Sequence, residues 1–121
     1  MIVGLGIDIV DIDRFMATLA RSPALIDRLF SADELGVPDH SLAARFAAKE
    51  ALAKSLGAPG DLRWHDVHVA KNVHGDPDLV ISGSIAARAA AIGADAFHLS
   101  MSHDGGMATA IVIAERRRPA E

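Results

Sequence analysis

The sequence predicts an α+β domain whose mainly antiparallel sheet is packed by one long helix. Three patterns point there. The chain opens with a two-residue apolar alternation at Val3, Leu5, Ile7 and Ile9, the period of a half-buried strand. It closes with two more, at Phe97, Leu99 and Met101 and then along MATAIVIA (107–114), with HDGG between them as a hairpin turn. Between these ends lies SLAARFAAKEALAKSLG (41–57), alanine-rich, with Ser41 as cap and Gly57 as terminator.

The remaining elements follow in order. Ile12, Phe15, Met16 and Leu19 have amphipathic-helix spacing. Ser22-Pro23 reads as an N-cap with proline at the first helical position, and Leu25, Ile26, Leu29 and Phe30 supply the buried face. Ser31 and Glu34 have capping-box spacing and start a short third helix. Residues 36–40 form a turn before the long helix. Trp64 to Lys71 and Leu79 to Ile81 alternate as strands around HGDPD (74–78). Ser84 caps IAARAAAI (85–92), which Gly93 ends. With the short helix at Ser31 left aside, the order β-α-α-α-β-β-α-β-β is that of an α+β domain. We expect a single domain over residues 1–115 and a disordered tail, RRRPAE, over 116–121.

Composition narrows the function. Half of the 121 residues are apolar, cysteine is absent and the net charge is −4. A thiolate site is therefore impossible, and general nucleic-acid binding is disfavoured. No apolar run approaches membrane-spanning length, and the N-terminus is patterned as a strand rather than a signal peptide. A cytoplasmic protein is expected.

One residue breaks the first strand. Asp8 sits mid-run, where an acid is depleted and costly to bury unpaired, and Gly4 and Gly6 share its face. On the long helix, Glu50 falls on a face with Ala43, Phe46, Ala47, Ala53 and Lys54. It either pairs with Lys54 one turn on, a common surface arrangement, or joins Asp8 around a hard divalent cation such as Mg²⁺. Arg45 and Lys49, four residues apart on an adjacent face, form either a solvated cationic stripe or a phosphate clamp. Ser102, His103 and Asp104 cannot form a hydrolytic triad, because consecutive residues cannot converge as a triad must. His103 could instead lie beside a phosphate or ring. GLGIDI lacks the third glycine and the following helix of a dinucleotide fingerprint. His65 and His68, three apart on a strand, fall on opposite faces and read as surface residues. Arg14 and Arg21, two turns apart, form a solvated face or a stripe that steers an acidic partner.

Four segments, GIDIVDIDRF (6–15), RFAAKEALAKSLG (45–57), GDP (75–77) and LSMSHD (99–104), occur together in one order. In these the chain closely resembles the holo-acyl-carrier-protein synthases, small bacterial 4′-phosphopantetheinyl transferases, from about Met1 to Glu115. The resemblance implies that family's fold, typically a homotrimer with active sites between subunits. It implies transfer of 4′-phosphopantetheine from coenzyme A to a serine of apo-acyl carrier protein, with adenosine 3′,5′-bisphosphate released, in support of fatty acid biosynthesis. By the same resemblance Asp8 and Glu50 are catalytic and hold Mg²⁺, with Glu50, or a metal-bound water it orients, as the candidate base. Arg45, Lys49, Lys54 and His103 contact phosphates of coenzyme A, and Gly75 and Pro77 lie near its adenine. Arg14 and Arg21 face the acidic recognition helix of the carrier protein. The segment between Glu34 and Ser41 is shorter than the family pattern, and LSMSH stands where LSLSH is usual.

From a different class, a non-catalytic trimeric module binding a phosphorylated nucleotide or an acidic protein is the main alternative. A metal-dependent phosphohydrolase is the third. The intact pair Asp8 and Glu50 favours the transferase, since a pure binder needs no metal.

Overall fold

The computed structural model describes residues 1–119. Its elements are β1 (Ile2–Asp11), α1 (Ile12–Arg21), α2 (Pro23–Leu29), a 3₁₀ turn (Ala32–Glu34), α3 (Asp39–Ser55), a second 3₁₀ turn (Trp64–Asp66), β2 (Val67–Lys71), β3 (Pro77–Ile81), α4 (Gly83–Ile92), β4 (Ala96–Asp104) and β5 (Met107–Glu115). The strands form two antiparallel sheets among the described residues. One has the order β1-β5-β4 and the other pairs β2 with β3. The predicted order and antiparallel character are those observed.

The core is the contact of α3 with the three-stranded sheet. Pairing sets Gly4 opposite Ala114, Gly6 opposite Val112, Asp8 opposite Ala110 and Val10 opposite Ala108. The sheet face towards α3 is thus built of small residues, and Ala43, Ala47, Ala48 and Ala51 of the helix are fully buried. Backbones can then approach closely, and the two glycines are where they do. A Cβ on Gly4 would overlap the Ser55 carbonyl, and one on Gly6 the Ala51 carbonyl. Backbone cannot move aside as a flexible side chain can. Gly6→Ala is therefore expected to destabilise the fold by about 3 kcal/mol, at the upper end of overpacking costs. Urea denaturation of the variant checks it.

Several boundaries differ from the sequence expectation. The long helix starts at Asp39, not after Ser41, because the N–H groups of Ser41 and Leu42 both donate to the Pro38 carbonyl. Trp64, His65 and Asp66 form a 3₁₀ turn instead of the start of a strand, and His65 bonds through Nε2 to the Asp27 carbonyl oxygen. Ser82, not Ser84, is the N-cap residue of α4. The Ser84 hydroxyl instead donates to Asp66 at 2.6 Å, and its N–H donates to the same oxygen at 2.8 Å. These two bonds hold the Asp66 carboxyl below the usual carboxylate range.

The first residues of the expected disordered tail are fastened. Arg116 and Met1 exchange backbone hydrogen bonds at 2.8 Å, and the N–H groups of Arg117 and Arg118 donate to the Asp95 carboxylate. Residues 120 and 121 of that tail lie outside the described residues. The opposite face of the sheet is open. Leu5, Ile7 and Ile9 of the edge strand β1 are 62%, 63% and 65% exposed, with Ile111 of β5 beside them.

Candidate active site

Close packing of α3 on β1 brings the two acids together. Asp8 shares the α3-facing side of β1 with Gly4 and Gly6, and both Asp8 and Glu50 line one groove of about 520 Å³. Arg14, Arg28, Phe46 and Trp64 line it as well. Lys54 pairs with Asp8 at 3.0 Å and also donates to the Ile7 carbonyl oxygen at 3.0 Å. The i, i+4 pair of Glu50 with Lys54 is not what forms. Lys54 reaches across to the strand.

Glu50 is half-buried, and burial raises its carboxyl pKa above the ordinary range. The charge of Asp8 raises it further, and Lys54 opposes both. Two hard carboxylates that repel each other in one groove fit a divalent cation, whose charge would relieve that repulsion. Among the described residues no cluster of three or more acids or histidines exists to hold a metal unaided. The donor set therefore suits Mg²⁺, which usually takes one or two carboxylates and draws its other ligands from water and substrate phosphates.

A second site lies on another side of α3. A cleft of about 300 Å³ is lined by His40, Arg45, Lys71, Pro77 and His103, with Ser41 and Ser102 and an apolar floor including Val69 and Met101. Three residues of the expected coenzyme A contacts, Arg45, Pro77 and His103, meet here. Gly75 does not line it. It lies in the β2–β3 turn, donating its N–H to the Asn72 carbonyl oxygen, with a φ of 81° that explains the glycine.

Lys49 is the clearest departure. Neither a solvated stripe nor a ligand-facing clamp is observed, because the side chain is 0% exposed. Its ammonium donates to Glu34 Oε1 at 2.7 Å, the Leu29 carbonyl at 2.7 Å and the Trp64 carbonyl at 3.2 Å. Burial lowers its pKa, and Glu34 opposes the shift. Glu34, itself 1% exposed, also accepts from the Ser31 N–H and hydroxyl and from the Val69 N–H. Its backbone carbonyl accepts from Arg45 Nη1 at 3.3 Å. One residue thus ties Lys49, the neighbour of Glu50, to Arg45 of the cleft. Sequence reading took Glu34 only as a helix cap. The capping box is real, and its acid was the available signal for Lys49.

Arg14 and Arg21 are exposed on α1. Arg14 borders the carboxylate groove, and Arg21 Nη2 donates to Thr18 Oγ1 at 3.4 Å. The fold also sets Arg28 on the rim of the same groove.

An antiparallel α+β domain carrying a half-buried acid pair and a separate basic cleft matches one class. A sequence model of the 4′-phosphopantetheinyl transferase superfamily matches residues 4–112, and the chain belongs to that family. Within it, the holo-[acyl-carrier-protein] synthase of Beutenbergia cavernae is 56% identical over 116 residues, 96% of this chain and 100% of that protein. The crystal structure of the holo-[acyl-carrier-protein] synthase from Neisseria meningitidis is similar with a TM-score of 0.85 at 30% identity, covering 96% of this chain and 100% of that one. The Helicobacter pylori holo-[acyl-carrier-protein] synthase, solved in complex with coenzyme A, is similar with a TM-score of 0.81 at 28% identity, covering 92% and 99%.

Proposed function

We infer that the chain transfers the 4′-phosphopantetheine group of coenzyme A to a serine hydroxyl of apo-acyl carrier protein. The observation that carries this is the pairing of Asp8 and Glu50 in one groove rimmed by Arg14 and Arg28. A binding module would have no use for two mutually repelling, partly desolvated acids.

The serine oxygen bonds to the β-phosphorus of coenzyme A. The bond from that phosphorus to the bridging oxygen breaks, and adenosine 3′,5′-bisphosphate leaves. The serine proton goes to the Glu50 carboxylate, or to a water that Glu50 orients, in the groove it shares with Asp8. Mg²⁺ held by Asp8 and Glu50 would neutralise charge on the pyrophosphate, the main requirement of phosphoryl transfer. Asp8 is oriented by Lys54, and its backbone carbonyl accepts from Thr109 Oγ1 at 2.8 Å. The arginines of α1 meet the acidic face of the carrier protein, so the serine arrives beside Glu50.

The acid groove and the basic cleft share no lining residue. A homotrimer resolves this by setting one subunit's groove against a neighbour's cleft. The exposed row Leu5, Ile7, Ile9 and Ile111 is the apolar surface that such an assembly would bury.

Incubation with apo-carrier protein, coenzyme A and Mg²⁺, read by intact-protein mass, is expected to show a phosphopantetheine adduct on the carrier. No adduct on any plausible carrier protein would overturn the transferase reading.

A further inference from the structure

The cleft holds a feature that none of the sequence motifs contains. The rings of His40, on the first turn of α3, and His103, near the end of β4, stack with centroids 4.2 Å apart and planes 29° from parallel. Both line the cleft with Arg45 and Lys71, and no carboxylate is among the lining residues. Four basic side chains in one acid-free cleft form an anion site. The acids that suit a metal-bridged pyrophosphate lie in the other groove. The cleft therefore suits a phosphate that arrives without a metal.

We propose that His40, stacked on His103, is a specificity-determining contact for the phosphomonoester at the nucleotide end of coenzyme A. Arg45 and Lys71 supply fixed charge, and the paired imidazoles supply N–H donors held in place by their mutual stacking. This rests on the transferase reading for the identity of the ligand, but not for the chemistry of the cleft. Lys71 is exposed on the last residue of β2 and completes the basic wall.

The test is calorimetric binding of adenosine 3′,5′-bisphosphate and of adenosine 5′-monophosphate to the assembled protein, with no turnover required. The intact chain should prefer the bisphosphate. His40→Ala and His40→Phe should each weaken bisphosphate binding by about tenfold, the scale of one charge-assisted hydrogen bond. The monophosphate should be unaffected. His40→Phe keeps a stacking ring but no donor, so it separates phosphate recognition from simple support of His103. Equal affinity of the intact chain and its variants for the bisphosphate, absence of binding included, overturns the proposal, as does a parallel loss for both nucleotides. The expected binding pattern without any carrier-protein adduct would instead overturn the transferase reading alone.

Discussion

Glu50→Gln and Asp8→Asn should each lower kcat/KM for carrier-protein modification by about 10²–10⁴-fold, the range for loss of a positioned acid–base group. Raising Mg²⁺ should not restore the rate of Glu50→Gln, because the proton acceptor is gone, whereas it should recover part of the rate of Asp8→Asn, which has lost only a metal ligand. The fold should survive, and for Glu50 the direction is set by its surroundings. Its folded-state pKa is raised by burial and by Asp8. The stability that ionisation costs is therefore fully present below the unfolded-state pKa and lost as pH rises through the folded-state value. Without added metal, Glu50→Gln should consequently melt no lower than the intact protein at neutral pH. The two should converge in acid. Thermal melts at both pH values, beside steady-state kinetics, check this. A near-normal rate in either variant would separate the acids from the chemistry.

The second large effect is on stability. Lys49→Met leaves the Glu34 carboxylate, 1% exposed, without its cation. Breaking a buried pair by removing one partner costs about 3–5 kcal/mol, a large part of a small domain's stability. Five further donors and acceptors depend on the pair, since Lys49 also holds the Leu29 and Trp64 carbonyls while Glu34 holds the Ser31 N–H and hydroxyl and the Val69 N–H. The double substitution Glu34→Gln with Lys49→Met should recover a substantial part of the loss, because no buried charge then remains unpaired. Urea denaturation of the single and double variants measures both. If Lys49→Met costs less than about 1 kcal/mol, the ammonium is not the buried fastening described here.

How far the sequence reached depends on which residues one considers. The fold class was legible because strand and helix periods are local signals, and the hairpin turn at Gly105-Gly106 occurs where HDGG promised it. The anomaly of Asp8 in a good strand was legible too. That Gly4 and Gly6 share its face was legible, but not what they make room for. The structure shows the helix, with the Ala51 and Ser55 carbonyls against Gly6 and Gly4. Lys49 was misread because a lysine on a helix is exposed by default. Only tertiary contact with Glu34, fifteen residues away, and with two backbone carbonyls makes its burial possible. For Lys54 the sequence offered its helical neighbour Glu50 or a coenzyme A phosphate, and the strand supplied a third partner, Asp8. Gly75 owes its identity to a turn, which a motif cannot distinguish from ligand contact.

The pairing of Asp8 with Glu50 as a divalent-cation site is tested most directly by Mn²⁺ binding, read by electron paramagnetic resonance with coenzyme A present. One strongly bound Mn²⁺ per chain is predicted. Asp8→Ala or Glu50→Ala should weaken it by at least about tenfold, or about 1.4 kcal/mol. Unchanged Mn²⁺ affinity in both variants would contradict the site.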